Sequence, residues 1–201
     1  MATPLNPGAA DGLPKVEATS AQEVTVLYEP SEAAVQLSDA DTTPARFVDL
    51  LFDAELFDDA IMFLAYALPK REAVWWGIAC ARDVAPDDLP EEGVAALQAA
   101  EAWLSDPTDE NRRNSFEAAK AATYDTPPGC IALAVFFSEG SLSPADCPPV
   151  PVGEGFCART TAAAILLSSL QVAPDDVAAK AKAFALSGIE AARSIAPWDE
   201  K

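Results

Sequence analysis

Arg71, Trp75 and Arg82 stand four and seven residues apart in the stretch REAVWWGIACARD, residues 71–83. On a helix turning about 100° per residue they share a face with Ile78, while Ala73, Gly77, Cys80 and Val84 gather on the other side with Trp76 toward its edge. An indole bracketed by guanidinium groups can hold an acidic or aromatic group, because arginine stacks on π faces and grips carboxylates through paired hydrogen bonds. The same spacing also suits a helix buried between two layers. Both arginines then pair with acids on neighbouring helices, and Trp75 fills a second core layer. Arg112 and Arg113 pose the same alternative as exposed helix charges. Trp76 and Cys80 read as core and Trp103 as a core plug, whereas Trp198, in the tail APWDEK, is not explained by packing.

Other chemistry is sparse. The chain has no histidine, which removes Ser-His-Asp and Cys-His catalysis and nearly all catalytic zinc sites. There is no GxxxxGK[ST] loop and no GxGxxG, and the GEG at 153–155 lacks the strand such a motif needs. Cys80, Cys130, Cys147 and Cys157 form no CxxC pair and read as free thiols of a reducing compartment. Carboxylates are too many for any one pair to stand out as acid and base. No catalytic residue, metal ligand or cofactor is assigned.

Charge narrows the partners. Thirty-two acidic and 13 basic side chains leave a formal net charge of −19, a field that repels phosphates and anionic headgroups and attracts basic proteins. Residues 87–110 alone hold eight acids and no base. Nucleic acid and membrane are therefore not expected as partners; a protein is, and the charge suits a basic one. The start MATPLNPGAADG lacks a basic, apolar leader, and no apolar run nears the ~20 residues that span a bilayer. A cytoplasmic protein is expected.

The elements that must position these side chains are helices. Residues 1–22 read as a disordered tail, and 23–42 as an extended arm in which Val24, Val26 and Tyr28 alternate as on a strand able to pair with a partner or lie on the helices. Residues 43–196 read as a single all-α domain of about eight mostly antiparallel helices, and 197–201 as a tail. Thr43-Pro44, Phe57, Pro69, Glu91-Glu92, DPTDENRR at 106–113 with Asp106 as N-cap, TPPG at 126–129, Phe156 and Pro174 mark the eight starts. A proline-rich loop, SLSPADCPPVPVGE, fills 141–154.

The succession RxAVWWxxxCAR, AAEAWLSDPTDENRRNSFEAA, TPPGCIALAVFFSEGSLSP and ARTTAAAILLSS resembles an uncharacterised bacterial all-helical domain family of about this length, over residues 44–172. That resemblance implies no assigned activity and, for some members, a place near type VI secretion genes. The second segment, with its A-x-x-W helix, is also similar to helical immunity proteins. Three functions stay open: a non-enzymatic interaction module serving as adaptor or accessory factor of a secretion apparatus, an acidic immunity protein that neutralises a basic toxin, and an enzyme or ligand binder built on Arg71, Trp75 and Arg82.

Overall fold

Short polar caps set the helix starts. Thr43, Thr108 and Thr126 each accept a hydrogen bond from the backbone N–H three residues on, and proline occupies the first turn after Thr43 and Thr126. The computed structural model describes residues 12–144 and 146–194. In chain order the helices are α1 (Ala21–Thr25), α2 (Glu32–Val35), α3 (Pro44–Asp53), α4 (Phe57–Ala67), α5 (Lys70–Asp83), α6 (Glu91–Ser105), α7 (Asp109–Ala122), α8 (Pro127–Phe136), α9 (Phe156–Ser169) and α10 (Val177–Arg193). The eight expected helices are α3–α10. The N-cap expected at Asp106 lies at Thr108 instead; Asp106 ends α6, and its carbonyl accepts from the Asn111 side chain at 2.8 Å.

The extended arm expected at 23–42 is corrected to α1, α2 and the turns around them. A strand would put Val24, Val26 and Tyr28 on one face. Instead Val24 and Tyr28 are buried and Val26 is 70% exposed, as residues spaced by four and two fall on a helical turn. Ser20 and Ser31 cap the two short helices, and Asp59 of α4 accepts from the Ser31 N–H at 2.9 Å and from its hydroxyl at 2.8 Å. Packing also starts earlier than the tail assignment allows. Leu13 is buried, and Lys15 donates its N–H to Ala192 O and its ammonium to Glu72 at 3.2 Å. Residues 1–11 of that tail, and the tail at 197–201 with Trp198, lie outside the described residues.

Helices α5 and α9 form the middle of the molecule. On α5, Ala73, Trp76 and Cys80 join a core with α3, α4, α10 and the N-terminal segment, while Val74, Ile78 and Ala81 join a second core with α6 and α8. On α9, Ala162 and Ile165 face the first core, and Cys157 and Ala164 the second. The two-sided wheel of α5 is thus realised as a helix between layers. Small residues set the approach: a Cβ on Gly188 of α10 would lie 2.6 Å from the Trp76 ring, and one on Gly77 would run into the tip of Ile131 on α8. Alanines 96, 119, 122 and 132 make a third, tight contact among α6, α7 and α8. Among the described residues no helix is long and apolar enough to cross a membrane.

Candidate functional site

Arg71 opens α5 against the end of α6. Its Nε donates to Leu104 O at 3.0 Å and its Nη2 reaches the same carbonyl, one of the last carbonyls of α6, which have no partner within the helix. Arg82, at the other end of α5, pairs through Nε with Glu101 Oε1 at 2.6 Å. Trp75 is half-buried between them and packs against both cores. The three side chains thus share a face, on which Arg71 holds a backbone carbonyl of α6 and Arg82 a carboxylate of the same helix. Glu101 already takes the place an external carboxylate would occupy at Arg82.

The other tryptophan is anchored from the opposite side. Trp76 Nε1 donates to Phe184 O at 3.0 Å and to Ser187 Oγ at 2.9 Å, and Cys80 Sγ lies 3.8 Å from the same hydroxyl. All four cysteines are free thiols; Cys80, Cys130 and Cys157 are buried and Cys147 is exposed. Burial pushes the Cys80 and Cys157 thiols up to about 12, so neither is a thiolate nucleophile near neutral pH. No group of three His, Cys, Asp or Glu side chains that could hold a metal ion occurs among the described residues.

The N-terminal residues singled out by alternation have separate places. Val24 packs into the core, and Tyr28 stacks on Tyr66 of α4 with ring centroids 4.9 Å apart. Burial, reinforced by the Asp59 charge, raises the Tyr28 phenol above its ordinary range. Val26 faces solvent at 70% exposure, with Leu27 at 38% and Val35 at 56%. Val26, Pro30 and Val35 line an open groove of ≈ 350 Å³ whose polar margin includes Gln22 and Asp39. The two short helices therefore bury one side and present an apolar groove on the other.

Of Arg112 and Arg113, for which the sequence left a binding patch or pairing with helix acids open, the first is a core residue. Arg112 is fully buried. Its Nη1 donates to Phe136 O at 2.8 Å, its Nη2 to Ser141 O at 3.1 Å, and its Nε to Asp109 Oδ1 at 2.9 Å. Its guanidinium lies 4.8 Å from the centre of the Phe136 ring. Arg113 holds the second Asp109 oxygen at 2.7 Å and donates to Ser143 O at 2.9 Å. The pair thus ties α7 to the end of α8 and the start of the 141–154 loop. The spacing of Asp109 from two arginines, three and four residues on, signals the ion pairs. The burial of Arg112 depends on the chain after α8 folding back, which no local pattern encodes.

No curated protein and no solved structure matches the chain. Residues 47–192, which run from the first turn of α3 to the end of α10, match DUF6931, a family of unknown function, and the chain belongs to that family.

Proposed function

We propose that the chain is a non-enzymatic protein-interaction module, an adaptor or accessory factor whose partner is a protein rather than nucleic acid or membrane. The observation that carries this reading is the N-terminal groove. Val26 and Val35, exposed at 70% and 56%, line it within ten residues of each other, on a segment that Val24, Tyr28 and the Ser31–Asp59 hydrogen bonds hold against α4. Scattered exposed apolar residues are ordinary, whereas clustered ones beside a groove are what interaction surfaces display. Service to a secretion apparatus rests on the resemblance described above and is the narrower part of the proposal.

The acidic run 87–110 favours a second reading, an immunity protein that neutralises a basic toxin. All eight acids of that run are exposed or half-buried, and such a surface would speed association with a cationic partner at low salt. The deciding experiment compares the full chain with a Val26→Asp/Val35→Asp variant as bait in cells of the source organism, with stepwise salt elution. A partner lost by the variant and resistant to salt supports the adaptor. A small basic partner released by moderate salt and indifferent to the variant supports the immunity reading. A bait that retains no partner in either form contradicts both.

A further inference from the structure

A second surface has a different character. An open cavity of ≈ 330 Å³ lies where the end of α5, the turn before α6, the first turn of α6 and the α7–α8 junction meet. Val84, Leu89, Ala121 and Pro128 give it apolar walls, and Glu92 is the sole charged residue among those that line it. Asp87, Asp88 and Glu91 adjoin lining residues in the chain and are exposed. None of these four carboxylates enters an ion pair among the described residues. Lys120, next to lining Ala121, is held by Glu117 at 2.7 Å. Val94 and Leu170, next in the chain to lining Gly93 and Gln171, are exposed at 37% and 58%.

We infer that this cavity docks a protein segment that presents an apolar side chain flanked by lysine or arginine. The walls call for an apolar group, whereas three of the four carboxylates stand beside the cavity rather than in it. A ligand that satisfies both puts an apolar side chain inside and cations outside, several ångströms along a backbone. A small amine would be confined to the interior, where Glu92 alone carries charge. The inference rests on the reading of the chain as an interaction module and adds a surface distinct from the Val26–Val35 groove, together with the partner chemistry it selects.

The test is an NMR titration of the isotopically labelled full chain with three probes: a short peptide of alternating leucine and lysine, its leucine–glutamate counterpart, and hexylamine. The lysine peptide is expected to shift the amides of Leu89, Gly93 and Ala121. Filling the cavity from exposed Ala121 (Ala121→Trp), or from half-buried Ala85 (Ala85→Trp) should the first disturb the fold, weakens that binding about tenfold or more. Neutralising the fringe (D87N/D88N/E91Q/E92Q) removes most of its salt dependence. The inference is overturned if the glutamate peptide binds equally, if the shifts fall elsewhere, or if no probe binds by about millimolar concentration. Tighter binding of hexylamine than of the peptide would make the cavity a small-amine site. Concentration-dependent shifts of the same amides without any probe would make it a self-association surface. A cellular partner lost by Val26→Asp/Val35→Asp but unaffected by Ala121→Trp would sink this inference while leaving the interaction-module reading intact; loss of neither would sink both.

Discussion

The Trp76 indole lies so close to Gly188 that a Cβ there would come within 2.6 Å of its ring, and the same indole donates to Phe184 O one turn earlier on α10. One aromatic side chain thus fixes both the distance and the register between α5 and α10. Gly188→Ala sets a gain in helix propensity of up to about 1 kcal/mol against a clash with a buried, rigid ring. We expect the clash, typically about 1–3 kcal/mol, to outweigh that gain and show as a lower Tm. Gly77→Ala meets only the tip of Ile131 and the Thr161 methyl, which can shift, so its cost should be clearly smaller.

Arg112 is the charge the fold can least spare. Arg112→Met would strand Phe136 O and Ser141 O and leave Asp109 with Arg113 alone. Leaving a buried acceptor without its donor costs about 1–3 kcal/mol, whereas the ion pair, with Asp109 59% exposed, adds little beyond that. Arg112→Lys keeps the charge but cannot reproduce a fork that reaches three acceptors, so it should recover only part of the loss. Chemical denaturation of the two variants separates charge from geometry.

Asp109 predicts the acid limb of stability. Hydrogen bonds from Arg113 and then Arg112 hold its carboxyl below the usual carboxylate range. A depressed folded-state pKa stabilises the fold above the unfolded value, and that contribution fades as pH falls through the folded one. Asp109→Asn should therefore be less stable than the parent at pH 7, with the difference closing as both are acidified below about pH 4. A constant difference across that range would argue against the ion pairs.

Thiol reactivity should follow burial. Cys147 is exposed, whereas burial pushes Cys80 and Cys157 up to about 12 and also raises Cys130. With a disulfide reagent at neutral pH the native chain should give one fast thiol, abolished by Cys147→Ser, and the other three should react only on unfolding.

Local chemistry carried much of this architecture. Threonine caps followed by proline, acids in first turns and apolar residues spaced by three and four marked α3–α10, and the two apolar faces of α5 foretold its place between layers. The N-terminal segment misled because EVTVLYEP offers both a two-residue and a four-residue period. Ser20, Ser31 and Asp59 resolve it toward helix, and Asp59 is 28 residues from Ser31. For the same reason the face shared by Arg71, Trp75 and Arg82 was legible, but Leu104 O and Glu101 as their partners were not. The cavity beside Glu92 is made by segments that meet only in the folded chain and has no sequence signature, whereas the Val26–Val35 groove lies within residues 22–40 and was hidden by the misread period.

The central claim, a protein partner seated on the Val26–Val35 groove, is tested most directly by photo-crosslinking in cells of the source organism. A photoreactive amino acid replaces Val26, Val35 or, as control, exposed Ala179 on α10. The account predicts one discrete crosslinked protein from positions 26 and 35 and none from 179. Equal labelling from all three, or none from 26 and 35, would contradict it.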